Sequence, residues 1–475
     1  MSTVTEKTPD AAEQLRLRHV ADQRIALAEH IARIDWSADR LAAERLRRLR
    51  TITRIATERS AWHRGRLKDF DPERVTEADL PELPVMTKEE VMAHFDEIVT
   101  DPGVTLAGVE AHLASLTDRP RYLFGRYQAI VSGGSSGVRG VFLYDWDAWV
   151  TIYLGWFRYL LRDMGGKPFS LAIVAAGKPT HGSRALLQTF SDPDAIAVHS
   201  VPITLPLEQI VAHLNQLNPD VILAYPSALV QLVETARSGA LRITPKAVIT
   251  GGEPLLPETR ASAEETFDVP IRNWWLASEG GPMGIGCGHG PGLHLSDDLL
   301  IIEPVDRDNR PVPVGTPSAK VLLTSLYNPA LPLIRYELTD EITMLDAGCP
   351  CGSQHRLIED PYGRDDDSFR YGDAVVHPLV FRSVLGAQPA IIEYQVHQTP
   401  QGAHVLIRGQ ASAQTQVELQ RGLEQLGVTP PDVTITTVEE IKRQDTGKIR
   451  RFVPLKASPG RSSVREETTR KEICP

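Results

Sequence analysis

The 475-residue sequence has little cysteine, no long apolar run and no excess of positive charge. Its four cysteines are too few for a secreted disulfide scaffold, and they favour a reducing cytoplasm. No segment approaches the roughly 18 consecutive apolar residues of a membrane-spanning helix, and the first residues lack the apolar core of a signal peptide. The formal net charge of −10 argues against nucleic acid as a partner. We therefore expect a cytoplasmic protein that acts on neither membranes nor nucleic acids.

The composition that is present, 42% hydrophobic and 24% charged residues, is typical of a globular protein and excludes disorder as its main theme. Val20, Leu27 and Ile31 recur at helical spacing, which predicts a helical lead-in within residues 1–120. Short β-branched runs then alternate with helical segments; the predicted strands are 129–131, 171–174, 221–224, 247–250, 299–302 and 319–323, and the predicted helices 206–217 and 226–238. This alternation predicts an α/β fold with mixed, largely parallel sheets plus helices.

An acidic, polar segment begins near residue 363 and is predicted to separate two domains. Residues 1–362 would form a large N-terminal domain, and residues 363–457 a small, mobile α+β domain. The predicted strands of the small domain are 391–396, 405–407 and 433–436, and its predicted helix is 413–426. Residues 458–475 are polar with mixed charge, which predicts a disordered tail.

Two glycine-rich segments and one carboxylate carry the clearest chemical signals. Residues 132–140, SGGSSGVRG, follow a predicted strand, and their glycines would allow backbone N–H groups to surround an anion. Residues 249–255, ITGGEPL, place glycines at the end of a strand, where a flat ligand can approach closely. Glu279, beside Ser278 in NWWLASEGG, offers a carboxylate and a hydroxyl of the kind that bind Mg²⁺. Taken singly, residues 132–140 are also compatible with an ordinary turn, and Glu279 with a solvated loop. Residues 249–255 alone favour a tight strand-to-helix turn.

Three weaker segments follow, at 335–340 (RYELTD), 363–367 (GRDDD) and 445–450 (DTGKIR). In this order the motifs resemble those of the adenylate-forming superfamily of acyl-CoA synthetases, adenylation domains and luciferases, and in particular its phenylacetate–CoA ligase branch. The resemblance implies ATP- and Mg²⁺-dependent adenylation of a carboxylic acid, expected to be aromatic, with release of pyrophosphate. Transfer of the acyl group to a thiol, expected to be that of coenzyme A, would follow after rotation of the small domain.

The resemblance also implies a role for each matching residue. The residues expected at the ATP phosphates are Ser132, Gly133, Gly134, Ser135, Ser136 and Gly137. Those expected around the nucleoside are Gly251, Gly252 and Glu253 at the adenine, and Asp340 and Arg364 at the ribose. Those expected at the metal and in the moving parts are Glu279 with Ser278 at Mg²⁺, Asp366 at the hinge and Lys448 near the α-phosphate.

Most of the cysteines lie in glycine- and proline-rich turns. Cys287 is followed by His294, and Cys349 and Cys351 form a Cys-Pro-Cys turn. Thiolates and imidazole suit tetrahedral Zn²⁺. The phenylacetate–CoA ligase branch has a similar arrangement, which implies that these four residues hold a structural zinc. His289 is a reserve ligand, and Cys474 in the tail is expected to be idle.

The sequence departs from the family at Trp275-Leu276, where an aromatic–glycine pair is usual, and at Val138-Arg139-Gly140, where lysine is usual. Four further residues could either line a pocket for the acid or belong to the hydrophobic core: Trp156, Phe157, His181 and Tyr225. One alternative function is an adenylate-forming enzyme with a carrier-protein thiol or an amine as acceptor, or with a non-carboxylate acid. Another is a non-catalytic nucleotide-binding protein with a zinc knuckle. A homodimer also stays open.

Overall fold

The computed structural model describes most of the chain: residues 10–117, 119–132, 139–175, 178–192, 194–361, 363–364, 367–388, 390–444 and 447–455. The predicted disordered tail, the predicted hinge Asp366 and the predicted phosphate-loop residues 133–137 lie outside these ranges, and so does the side chain of Arg364. None of the described helices is both long and apolar enough to cross a lipid bilayer.

The chain begins with helices, as the spacing of apolar residues predicts. They are α1 (Ala11–Ala32), α2 (Ala38–Arg59), α3 (Ala61–Arg66), α4 (Lys88–Ala93), α5 (Phe95–Ile98) and α6 (Leu106–Ala114). Asp10 and Ser37 begin the two longest helices, because their side chains accept hydrogen bonds from backbone N–H groups of the first turn. Thr87 begins α4 in the same way and forms a capping box with Glu90.

A hairpin follows, formed by β1 (Tyr127–Val131) and β2 (Val141–Asp145), which pair antiparallel from Tyr127–Asp145 to Val131–Val141. The glycine-rich segment 132–140 connects these two strands. The largely buried helix α7 (Trp146–Asp163) comes next, and the Asp145 carboxylate accepts a hydrogen bond from the Ala148 N–H at its start.

The central layer alternates strands and helices. Its elements are β3 (Phe169–Ala175), α8 (Gly182–Phe190), β4 (Ile196–Pro202), α9 (Leu207–Leu217), β5 (Val221–Ala224), α10 (Pro226–Arg237), β6 (Ala247–Gly251), α11 (Pro257–Phe267) and β7 (Ile271–Ala277). The strands are parallel in the order β7-β6-β5-β3-β4. Parallel strands joined by helices put the carboxyl ends of β6 and β7 at one edge of the sheet, where ligands commonly bind in such folds.

Antiparallel strands extend this layer and, among the described residues, form two smaller sheets. They are β8 (Gly281–Ile285), β9 (Leu293–Leu295), β10 (Leu300–Val305), β11 (Lys320–Ser325), β12 (Tyr336–Leu338), β13 (Asp340–Glu341), β14 (Met344–Leu345), β15 (Leu357–Ile358) and β16 (Gly363–Arg364). Among the described residues the main sheet has nine strands in the order β14-β15-β9-β8-β7-β6-β5-β3-β4, and the two smaller sheets are β10-β11-β12 and β13-β16. The predicted fold class, α/β with mixed and largely parallel sheets, is confirmed.

The C-terminal part has its own sheet and core. Its elements are β17 (Phe369–Tyr371), β18 (Ala374–Val376), α12 (Leu379–Leu385), β19 (Ile391–Thr399), β20 (Gly402–Gly409), α13 (Ala413–Gln425), β21 (Asp432–Thr437) and β22 (Phe452–Val453). The sheet order is β21-β20-β19-β22, and Phe381, Leu419 and Phe452 belong to a core cluster distinct from the main one. We call residues 363–455 the small unit and the preceding residues the large unit; the boundary between two domains stays a prediction.

Candidate functional site

A cavity of about 450 Å³ lies where β6 and β7 end, between the large and small units. It brings together residues from motifs that are far apart in the sequence, and those of the predicted site that line it include Ser132, Gly252, Glu253, Glu279, Asp340 and Lys448. The carboxyl edge of the sheet therefore carries the predicted site, as expected for an open α/β layer.

Two glycines allow the backbone to approach its neighbours closely at the end of β6. A Cβ atom at Gly251 would lie 2.8 Å from the Trp274 carbonyl oxygen, which is closer than real Cβ contacts. Gly252 has φ +80, which favours glycine, and a Cβ atom there would lie 3.2 Å from Nζ of Lys448. A larger residue at position 252 would therefore compete with the lysine for space.

The third motif is joined to the hairpin that carries the glycine-rich segment. Ser278 Oγ donates a hydrogen bond of 3.3 Å to the Val131 carbonyl oxygen, and the Tyr144 hydroxyl donates to the Ser278 carbonyl oxygen. Glu279 follows in a turn and is almost fully buried. Ser278 and Glu279 both line the cavity, and a carboxylate beside a hydroxyl fits the oxygen ligands that Mg²⁺ prefers.

Lys88 is a charged residue of this site that the sequence analysis missed. It is the first residue of α4, and its Nζ lies 3.7 Å from Oε1 of Glu279. The capping box between Thr87 and Glu90 predicts a helix start at this point. Nothing in the local sequence indicates that the helix points its first side chain at a carboxylate far along the chain.

Asp340, the predicted ribose ligand, is held by Trp275, the aromatic residue that precedes the unusual Leu276. The indole Nε1 of Trp275 donates a hydrogen bond of 3.2 Å to Oδ1 of Asp340, and both side chains are buried. The backbone of Asp340 pairs with that of Arg364 across β13 and β16. One carboxylate oxygen is therefore oriented by a donor on β7.

Lys448 reaches the cavity from the small unit. Its Nζ lies 5.6 Å from the ring centroid of Tyr225, within cation–π distance. Burial lowers the pKa of nearby His181 to about 4, and the positive charge of Lys448 contributes to the shift. Trp156 and Phe157 instead pack in the core, with Phe157 in edge-to-face contact with Trp274 at 5.3 Å between ring centroids.

A second candidate site consists of the four predicted metal ligands, Cys287, His294, Cys349 and Cys351, whose ligand atoms all lie within 4.8 Å of one another. The Sγ atoms of Cys287 and Cys349 are 3.5 Å apart, and Cys351 Sγ lies 3.3 Å from Nε2 of His294. Tetrahedral Zn²⁺ with bonds of about 2.3 Å to sulfur requires ligand atoms about 3.8 Å apart. Both the donor set and its size fit Zn²⁺, while zinc itself stays a prediction.

The surroundings of the cluster suit metal binding through Nε2 of the histidine. Nδ1 of His294 lies 3.3 Å from the His355 carbonyl oxygen, so an Nδ1–H group donates there and leaves Nε2 as the ligand atom. Burial lowers the pKa of His294 to about 4, which keeps the imidazole neutral. Burial raises the pKa of the Cys287 and Cys349 thiols, so a metal has to displace their protons.

The reserve ligand His289 is not part of this cluster. His289 Nε2 instead lies 3.0 Å from Oδ2 of Asp163, which also pairs with Arg272 at 2.7 Å. Cys474 falls outside the described residues, so its expected idleness stays a prediction.

The fold is that of acyl-CoA ligases. The solved structure of 2-hydroxyisobutyryl-CoA ligase in the postadenylation state with 2-HIB-AMP has a TM-score of 0.71 and 20% identity, covering 89% of this chain and 91% of that one. The same ligase with 2-HIB-AMP and CoA in the thioesterification state has a TM-score of 0.59 and 18% identity, covering 89% and 91% of the two chains.

A partial match in sequence adds to this likeness in fold. A phenylacetate–coenzyme A ligase of Thermus thermophilus is 28% identical over 214 residues, which are 43% of this chain and 47% of the relative. The match thus spans about half of the relative's length. No family model matches the chain. The resemblance to the adenylate-forming superfamily and its phenylacetate–CoA ligase branch is confirmed.

Proposed function

We propose that the protein is an AMP-forming acid–thiol ligase that adenylates a carboxylic acid with ATP, releases pyrophosphate and passes the acyl group to coenzyme A. The observation that carries this proposal is that Lys448 of the small unit lies in the same cavity as Ser132, Glu279 and Asp340. The sequence similarity to a phenylacetate–coenzyme A ligase supports it.

The first step is a displacement at phosphorus. A carboxylate oxygen of the acid attacks the α-phosphorus of ATP, a P–O bond to the acid forms, and the bond to pyrophosphate breaks. The acid is already ionised near neutral pH, so no general base is required. Both reactants are anions, and catalysis therefore depends on positioning and on neutralising charge.

Lys448 would supply a compact positive charge to the α-phosphate region. Glu279, with Ser278 beside it, would hold Mg²⁺, which neutralises charge on phosphate oxygens when bound. Lys88, 3.7 Å from Glu279, would add a second positive charge on the side of the large unit.

The nucleotide would be held by the remaining motif residues. Asp340 would accept hydrogen bonds from the ribose hydroxyls through the oxygen that does not receive the Trp275 N–H, with Arg364 beside it. Gly251, Gly252 and Glu253 would border the adenine. The residues proposed to enclose the phosphates are Ser132, Gly133, Gly134, Ser135, Ser136 and Gly137. Ser132 is at the cavity wall.

In the second step the thiol of coenzyme A attacks the acyl carbonyl carbon, the C–S bond forms, and AMP leaves. Because Lys448 belongs to the small unit, rotation about Asp366 would withdraw it after adenylation and bring another surface of that unit to the site. We propose an aromatic acid as the substrate, supported by the similarity to a phenylacetate ligase, with Leu276 at the cavity wall as one boundary of the acid pocket.

We also propose that Cys287, His294, Cys349 and Cys351 hold one structural Zn²⁺. Four protein ligands leave no open coordination position, which is typical of a structural site. The zinc would join the turn after β8 and strand β9 to the turn before β15, and it would take no part in the reaction.

A pyrophosphate-release screen over aromatic, aliphatic and inorganic acids, with and without coenzyme A, tests the proposal. Lys448→Ala is expected to reduce acid-dependent ATP–pyrophosphate exchange by about 10²-fold or more, as the loss of an oxyanion donor does. Lys246→Ala removes an exposed lysine paired with Asp220 at 2.8 Å and serves as the matched control. Nucleotide binding without pyrophosphate release for any acid would favour a non-catalytic binding protein. If AMP were released only in the presence of an amine or a carrier protein, that molecule would be the acyl acceptor in place of coenzyme A.

A further inference from the structure

The carboxylate of Glu253 is fully engaged at the junction between the large and small units. Its Oε2 accepts the Ser227 N–H at 3.0 Å, and its Oε1 accepts the Ser227 hydroxyl at 3.1 Å. The Oε1 atom also accepts the backbone N–H of Ile449 at 2.8 Å. Ser227 lies in the first turn of α10, so one carboxylate joins a helix start in the large unit to the residue that follows Lys448.

The lysine-bearing segment, residues 447–449, fits closely against the large unit. A Cβ atom at Gly447 would overlap a methyl carbon of Ile203, and the φ of +79 at Gly447 favours glycine. Lys448 lies over the Tyr225 ring and against Gly252. The segment therefore packs closely against the large unit, and the hydrogen bond from the Ile449 N–H to Glu253 is a polar contact with the wall that carries Gly252.

A neighbouring arginine strengthens the same junction. Arg443 Nη1 donates to Ser227 Oγ at 2.7 Å and to the Gly447 carbonyl oxygen at 3.1 Å, and its Nη2 donates to Gln231 Oε1 at 3.1 Å. The Ser227 hydroxyl thus accepts a hydrogen bond from Arg443 of the small unit and donates one to the Glu253 carboxylate. The resulting chain of hydrogen bonds runs from Arg443 through Ser227 and Glu253 to Ile449.

We propose that Glu253 is a positioning residue that holds Lys448 in place for adenylation, and that it acts through the backbone of residue 449. This inference rests on the proposed function of Lys448. The carboxylate is suited to the task because each of its partners donates, and an anionic acceptor makes the stronger kind of hydrogen bond. Once the small unit moves away after adenylation, the bond to Ile449 is broken, so the second half-reaction does not require it.

Glu253→Gln tests the proposal, because the substituted amide keeps the shape but places an NH₂ group among donors. The variant is expected to reduce acid-dependent ATP–pyrophosphate exchange by about 10- to 100-fold, the range for a charged hydrogen bond. The rate of thioester formation from preformed acyl-adenylate and coenzyme A is expected to change by less than about 2-fold, since that step does not use Lys448 in its adenylation position. The retained second step also reports that the variant is folded.

A double-mutant cycle distinguishes positioning of the lysine from direct contact with adenine. In a Lys448→Ala background, Glu253→Gln is expected to cause less than about 2-fold further loss of exchange. An adenine ligand would instead cause the same loss in both backgrounds and would raise KM for ATP. Glu234→Gln removes another contact between the units, an ion pair to Arg408 at 2.8 Å, and is expected to lower exchange by less than about 3-fold.

A second probe removes only the donor. Replacing Ile449 by its α-hydroxy acid turns the amide into an ester without the N–H group, and it is expected to reproduce the loss of exchange seen in Glu253→Gln. Wild-type exchange rates in both variants, or additive losses in the cycle, would overturn the inference. Absence of exchange in the wild-type protein with every acid would refute the proposed function instead.

Discussion

Asp298 is a fully buried charge in the large unit, and its substitution tests how buried charges are stabilised in the core. It is fully buried, and Nη1 of the equally buried Arg158 lies 3.0 and 2.9 Å from its two carboxylate oxygens. Nη1 of Arg33, just after α1, lies 3.4 Å away. The carboxylate therefore joins the N-terminal helices to α7 inside the core.

Asp298→Asn keeps the side-chain volume and removes the negative charge. Arg158 would then be a buried cation without its counter-charge, and removing one partner of a buried ion pair costs about 3–5 kcal/mol. Within the described part of the chain, Nε and Nη2 of Arg158 have no hydrogen-bond partner, so no second acceptor can compensate. We expect the free energy of unfolding to fall by this amount, a large fraction of the roughly 5–15 kcal/mol of a typical domain.

The same pair predicts a dependence on pH. Burial disfavours the ionised carboxyl, but the positive charges of Arg158, His355 and Arg33 outweigh it and hold the pKa of Asp298 well below its ordinary value. A carboxyl with a lowered folded-state pKa contributes stability above its unfolded pKa of about 3.9, and this contribution is lost as the pH falls toward the folded value. The stability difference between wild type and Asp298→Asn should therefore be constant near neutral pH and shrink below about pH 4.

Urea unfolding followed by circular dichroism measures both effects. The control is Asp308→Asn, since Asp308 and its partner Arg310 are largely exposed, and the expected change is below about 0.5 kcal/mol. The double variant Arg158→Met, Asp298→Leu removes both charges and should cost less than Asp298→Asn alone. A loss smaller than about 1 kcal/mol in Asp298→Asn at pH 7 would refute the reasoning about an uncompensated buried charge.

The parallel strands could be predicted from sequence because both of their faces are buried. Such strands read as continuous apolar runs, and the run at 221–224 matches β5 residue for residue. Strand β8, Gly281–Ile285, was not predicted, because glycine and proline give it little strand propensity. Its antiparallel pairing with β7, a tertiary interaction, decides its conformation.

The site could be predicted where its chemistry is local and not where it depends on contacts between distant segments. The residue types of the cysteine and histidine cluster predict a metal site. The hydroxyl and glycines beside Glu279 likewise predict a magnesium ligand. The sequence at Trp275, in contrast, shows only that an aromatic residue stands where the family has one, and its contact with Asp340 becomes visible only in the fold. Glu253 likewise appears as part of a glycine turn, and only the structure reveals its contact with residue 449.

Two predictions remain, one for each site. Cys351→Ser replaces a thiolate with a poor zinc ligand, so metal analysis of tagless protein should find about one zinc per chain in the wild type and far less in the variant. The control Cys474→Ser should retain the metal. Wild-type protein that contains no zinc would refute the site. Trp275→Phe keeps the aromatic ring and deletes the N–H that orients Asp340. Since a hydrogen bond to a charged group contributes about 1.5–3 kcal/mol, KM for ATP in pyrophosphate exchange should rise about 10-fold or more, while kcat changes by less than about 3-fold. The penalty for 3′-deoxyATP relative to ATP should shrink in the variant, because a carboxylate that is no longer oriented gains less from the ribose hydroxyl. An unchanged KM and an unchanged preference for ATP would show that Asp340 needs no help from the indole.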